Sequence, residues 1–136
     1  MGTEGSEAGF REGLVLDTGA LIAFERAEKR IAAFIEEAID LGEEITIPAT
    51  VLAQAWRGGP KAARLSRLIG GSQSDSLDEL RAKEVGERLG VCDVTDIADA
   101  HVVCCALDRQ AVVVTADSDD VNALAGPGED LTLVSV

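Results

Sequence analysis

Apolar residues follow two rhythms along the chain. Leu14-Val15-Leu16 is a continuous triplet ending at Asp17, and Thr18-Gly19 precedes the apolar Ala20-Leu21-Ile22-Ala23-Phe24. That order reads as strand, turn, helix. Ile31, Phe34, Ile35, Ala38 and Ile39 recur at the spacing of a helical stripe, with Glu36, Glu37 and Asp40 mostly off it. Ile45-Thr46-Ile47 predicts a second strand, and Pro48 suits the first turn of a helix carrying Val51, Leu52 and Ala55. Gly58-Gly59-Pro60 ends that helix before another from Lys61 to about Ile69. Gly70-Gly71-Ser72-Gln73-Ser74 is expected to be a loop, and Ser76 with Glu79 a capping box for a helix to about Leu89. A helix from about Asp96 to Asp108 leads into a buried strand, Val112-Val113-Val114, ending at Thr115. A short helix around Val121 to Leu124 and a last strand from Leu131 to Val136 complete the pattern.

Strands alternating with helices predict βαβ units, hence an α/β fold with a parallel sheet and right-handed crossovers. Residues 1–12 are expected to form a flexible tail and 13–136 a single domain, since 136 residues suffice for one core. With 46% hydrophobic residues the chain is not a disordered polymer. No apolar run approaches the ~18–20 residues of a membrane span. The polar, acidic start does not have the pattern of a secretory signal. Cys92, Cys104 and Cys105 form neither a disulfide framework nor a zinc spacing, which suits a reducing cytoplasm. Twelve basic against 25 acidic residues give a formal charge of −13. Such a chain does not coat nucleic acid by general attraction, but its carboxylates could hold a metal.

Ligands of open α/β sheets bind beyond the carboxyl ends of the strands. Asp17 and Asp117 stand at two such ends, and Asp93, Asp96 and Asp99 lie around the start of the helix leading into the second. Asp96 and Asp99 are three apart and share a helix face. Like charges so gathered repel, and a divalent cation removes that cost. Helix capping is the plain alternative for Asp96, Asp119 and Asp120, and it has least force at Asp17, an acid directly after an apolar strand. Asp17, Asp99 and Asp117 are therefore expected to share a site. Composition and spacing carry the reading to a metal-dependent α/β enzyme and stop there.

Four segments resemble the PIN-domain ribonucleases, in particular the VapC toxins. They are Leu14-Val15-Leu16-Asp17-Thr18-Gly19-Ala20-Leu21-Ile22, the stretch from Ile47-Pro48 to Arg57-Gly58, Asp96-Ile97-Ala98-Asp99-Ala100-His101-Val102-Val103, and Val112 through Asp120. They span nearly the whole chain after the tail, in the family's order. The resemblance implies a three-layer α/β/α PIN-like fold with a central parallel sheet of about four to five strands. It also implies Mg²⁺- or Mn²⁺-dependent hydrolysis of RNA, in which a metal-activated water attacks the phosphodiester and leaves a 5′-phosphate. Asp17, Asp99 and Asp117 match the family's first, third and fourth acids, and Asp96 and Asp119 are further candidate ligands. Thr115 and Thr18 match hydroxyls that orient the metal or its waters. The implied partners are RNA, a VapB-like antitoxin and a second copy of the toxin.

One position departs from the family. A Glu is usual on the second helix, and Gln54 stands there instead. A neutral amide is a weaker Mg²⁺ ligand and cannot act as a base. Either Asp17, Asp96, Asp99 and Asp117 suffice, helped by Glu25, or the protein is a weakened PIN-like module that binds RNA or a protein. Arg57, Lys61, Arg64 and Arg67 form a basic strip suited to RNA phosphates or an acidic antitoxin segment, or simply to solvent. His101, the single histidine, is expected to be packed or hydrogen-bonded rather than catalytic, Cys104 and Cys105 to lie in the core, and Trp56 to be a packing or interface residue. A second Asp two residues after Asp17, as phosphatases of the haloacid-dehalogenase type require, is missing because Gly19 is there. An early acidic pair and a glycine-rich phosphate loop are missing too, which removes receiver and nucleotide-binding domains.

Overall fold

The computed structural model describes residues 13–92, 95–115, 121–126 and 128–135. Asp93, Asp117, Asp119 and Asp120 lie outside these residues, as does the proposed tail. Among the described residues the elements are β1 (Leu14–Leu16), α1 (Thr18–Glu25), α2 (Lys29–Asp40), β2 (Ile45–Pro48) and α3 (Ala49–Ala55). A 3₁₀ turn (Pro60–Ala62) and α4 (Ala63–Gly70) follow, then β3 (Gln73–Asp75), α5 (Glu79–Gly90), α6 (Ile97–Arg109), β4 (Val112–Thr115) and β5 (Leu133–Ser135). The five strands form one sheet in the order β3-β2-β1-β4-β5, every pairing parallel. Six helices flank it, so the expected α/β fold with a parallel sheet is the observed one.

The central strands explain the triplets. β1 lies between β2 and β4, with Leu14 beside both Ile45 and Val112. A strand covered on both faces needs apolar residues at every position, which removes the alternation of a half-solvated strand. Leu14, Val15, Leu16, Val113 and Val114 are essentially inaccessible. Each such side chain contributes about 1.5–3 kcal/mol on burial. Gly13 supports this packing at the start of β1, where its φ is +115° and a Cβ would meet the Glu44 carbonyl at 2.3 Å. That carbonyl accepts the Leu14 N–H at 2.8 Å.

Three expectations need correction. Gln73 and Ser74 are not loop residues: with Asp75 they make β3, an edge strand beside β2. Gln73 and Ser74 face solvent, so no apolar pattern marks the strand. The cap of α5 is Asp78, whose carboxylate accepts the Arg81 N–H at 2.9 Å, and Ser76 lies before it. Pro48 closes β2 and precedes α3 instead of occupying its first turn. Within α2 the apolar stripe holds at Ile31, Ile35 and Ala38, while Ile39 is half exposed near the helix end. No described helix is long and apolar enough to cross a membrane.

Candidate active site

The carboxyl end of β1 carries Asp17, a carboxylate only 4% exposed. Its backbone N–H donates to the Val114 carbonyl of β4 at 3.1 Å. One carboxylate oxygen, Oδ1, accepts the Ala20 N–H at 2.8 Å, making Asp17 the N-cap of α1. Its other oxygen, Oδ2, accepts a short hydrogen bond from the Thr115 hydroxyl. Asp17 therefore caps after all, contrary to the expectation that an acid directly after an apolar strand has little capping role. An acid between a strand and a helix is well placed to accept one of the helix's unpaired N–H groups. Thr115, at the end of β4, is fully buried, and its hydroxyl adds a side-chain bond to the backbone pairing of β1 with β4.

Beside Asp17, the Thr18 hydroxyl donates to Gln54 Oε1 at 2.5 Å. Gln54 therefore reaches the site from α3, which packs against both α1 and α6. Glu25 is at the far end of α1, seven residues beyond Thr18 and about two turns away, and so does not approach Asp17 through that helix.

Asp96 and Asp99 open α6. Asp96 is its N-cap, accepting the Asp99 N–H at 3.0 Å, and Asp99 lies half-buried in the first turn. Capping and ligation thus compete for the Asp96 oxygen. The helix lies over β1, β2 and β4 and turns through Gln110 into β4. Gln110 has a φ of +54°, the left-handed cap that ends many helices. An α6 that finishes where β4 begins must start near the carboxyl ends of the strands, and its His101 indeed touches Thr50, two residues past the end of β2. Among the described residues no three acidic, histidine or cysteine side chains come together closely enough to hold one ion. Asp17, Thr18, Gln54, Asp96, Asp99 and Thr115 are nonetheless hard oxygen donors at or beside strand and helix ends. That is the donor chemistry Mg²⁺ and Mn²⁺ select.

A second polar group was missed from sequence because it hangs on the overlooked β3. Asp75 is 7% exposed and is forked by Arg81, Nε to Oδ1 at 3.0 Å and Nη2 to Oδ2 at 3.1 Å. His101 Nε2 lies 2.8 Å from Asp75 Oδ1, and His101 Nδ1 lies 2.8 Å from the Thr50 hydroxyl. His101 is wholly buried, so its expected packed and hydrogen-bonded state is the observed one. Burial alone would raise the Asp75 pKa, but hydrogen bonds from Arg81 and His101 hold it below the usual carboxylate value. Cys104 and Cys105 are core residues as expected, and burial pushes the Cys105 thiol up to about 12.

The basic strip is only partly available. Arg64 Nε donates to the Phe24 carbonyl at 2.7 Å, and its guanidinium stacks 4.2 Å from the Phe24 ring centroid. Arg57 donates to the Trp56 carbonyl at 2.8 Å at the end of α3. Lys61 and Arg67 are exposed. Trp56 itself is 39% exposed and helps line an apolar cleft of about 410 Å³ with Leu52, Ala53 and Ile69.

No protein-family model matches the sequence, and no curated protein matches it. Its fold does match solved structures. VapBC2 from Rickettsia felis, bound to a DNA fragment from their promoter, aligns with a TM-score of 0.68 at 14% identity, over 90% of this chain and 98% of that one. FitAcB from Neisseria gonorrhoeae aligns at 0.59 and 17% identity, over 88% and 95%. PAE2754 from Pyrobaculum aerophilum aligns at 0.55 and 18% identity, over 89% and 82%. The chain therefore has the PIN-like fold of the VapC-type structures, along nearly its whole length.

Proposed function

We propose that this protein is a Mg²⁺- or Mn²⁺-dependent endoribonuclease of the VapC toxin type, restrained by a VapB-like antitoxin. The carrying observation is the buried Asp17 carboxylate at the carboxyl end of β1, hydrogen-bonded to Thr115 of β4. Asp96 and Asp99 add two acids at the start of α6. Asp17 and Asp99 would hold the metal, with Asp96 as a further ligand and Thr18, Thr115 and Gln54 orienting its waters. Asp117 and Asp119 complete the set in this reading. When bound, the ion supplies Lewis-acid polarisation of a phosphoryl oxygen and activation of water. The chain's own part is to fix these oxygens on rigid strand and helix ends and to leave an open edge for the phosphodiester.

Partner binding draws on the same half of the molecule. VapBC2 from Rickettsia felis is a complex of this kind, and the apolar cleft beside Trp56 offers a partner helix a hydrophobic seat. Lys61 and Arg67, exposed on the neighbouring α4 segment, suit an acidic antitoxin or RNA phosphates. A homodimer is part of this reading, through the family likeness.

Cleavage of single-stranded RNAs by purified protein with Mg²⁺ or Mn²⁺ tests the enzyme. Activity is expected with either ion, and loss of it in Asp17→Asn and Asp99→Asn. If folded protein cuts none of a varied set of RNAs with either metal, the enzyme reading fails. Gln54 favours a second reading, a PIN-like module with weakened catalysis, because an amide accepts the Thr18 hydroxyl where a carboxylate is usual. Recovery of cleavage in Gln54→Glu from an inactive parent would select that reading.

A further inference from the structure

His101 is a wholly buried polar side chain near the site and has no part in the metal chemistry just described. Its two ring nitrogens join elements that are far apart in sequence: Thr50 on α3, 51 residues away, and Asp75 on β3, 26 residues away. Asp75 is an ionised acceptor, forked by Arg81 and approached by Arg109 at 3.5 Å, so the hydrogen on that side belongs to Nε2. Arg81 offsets the Asp75 charge locally. On its other side, Nδ1 shares a hydrogen bond with the Thr50 hydroxyl.

Thr50 is four residues before Gln54 on α3, so the two side chains share a helix face. Gln54 meets Thr18, next to Asp17, while Thr50 meets His101, two residues beyond Asp99. A helix of seven residues has little rigidity of its own, and tertiary contacts place it: its buried Val51 and Ala55, and polar bonds such as these. We propose that His101 is a positioning residue: its imidazole, anchored on Asp75, holds Thr50 and so sets the rotation of α3 that brings Gln54 to Thr18. The consequence for the metal centre rests on the function proposed above; the bridge and its hold on α3 do not. The arrangement has a serine-protease-like look, but Asp75 is clamped by two arginines and serves as an anchor for the ring.

The chain has one histidine and one tryptophan, so both ends of the idea can be read in the intact, tag-free protein. Long-range ¹H–¹⁵N correlation of the imidazole should show both ring nitrogens hydrogen-bonded. Thr50→Val should shift the Nδ1 resonance and leave Nε2 in place, and Thr50→Ser should restore it. Trp56, at the carboxyl end of α3, should shift its emission in Thr50→Val and recover in Thr50→Ser. Titration with Mn²⁺ should give roughly 10-fold weaker binding in Thr50→Val, the scale of losing an outer-shell partner. An Nδ1 resonance or a Trp56 signal indifferent to Thr50→Val overturns the proposal. A wild-type protein that binds no Mn²⁺ but shows the Thr50-dependent His101 and Trp56 signals supports the bridge and removes the metal reading instead.

Discussion

Asp17 serves two roles that ordinarily fall to different residues: it caps α1 through one oxygen and presents the other to Thr115. Substitution can separate the cap from the charge. Asparagine caps as well as aspartate, and its amide can still meet the Thr115 hydroxyl, so Asp17→Asn should stay within about 1 kcal/mol of wild type. Alanine loses the cap and leaves buried polar groups unpaired, so Asp17→Ala should cost roughly 2–4 kcal/mol. Urea unfolding measures both. Against that background, Asp17→Asn should lower metal-dependent cleavage by about 100-fold or more, the scale of losing one fixed electrostatic group. A variant equally stable and equally active would show that the charge is not catalytic. Asp17, Asp96 and Asp99 were legible because a strand or helix end singles out an acid. The Thr50–His101–Asp75 chain was not, since each of its bonds spans at least 26 residues and leaves no local pattern.

At the scale of elements, β3 shows where pattern reading fails. An edge strand of three residues with two side chains in water has the composition of a loop, and its identity comes from pairing with β2. Its one buried residue, Asp75, is the hub on which α5 and α6 meet the sheet edge, through Arg81, His101 and Arg109. Arg81 and Asp75 are 14% and 7% exposed, so removing one partner strands a poorly solvated charge. Arg81→Met should cost about 3 kcal/mol, read as a lowered unfolding midpoint. Acid dependence supplies an independent check. The Asp75 pKa is depressed in the folded state, so its ionised form contributes stability above the unfolded value near 3.8. That contribution fades as pH falls through the lower folded value. The stability gap between wild type and Asp75→Asn should therefore narrow as pH falls from about 5 toward 2. A gap that stayed constant over that range would mean that the carboxylate's ionisation is not what Asp75 provides.

Across the whole molecule the −13 charge acquires a structure. Asp75 and Glu129 are tied to Arg81 and Arg88. Glu129 is held at about pKa 2 by hydrogen bonds from Arg88 and the Gly126 N–H, which fasten the segment after β4 onto α5. Others, Asp17, Asp96 and Asp99, stand at strand and helix ends, and these two populations should respond differently to cations. Any salt screens an acidic surface, and the Debye length of ~10 Å at 0.1 M limits that effect to general repulsion. A metal centre binds the folded state alone and adds stability as RT ln(1 + [L]/Kd), about 2.7 kcal/mol at 100 times Kd. MgCl₂ or MnCl₂ should therefore raise the melting temperature by several degrees beyond NaCl at equal ionic strength. Asp17→Asn should lose that extra rise and keep the NaCl response, because it removes a ligand and leaves the surface charge nearly unchanged. Equal melting curves in MgCl₂, MnCl₂ and NaCl would reduce these carboxylates to capping groups and end the case for a metal-dependent site.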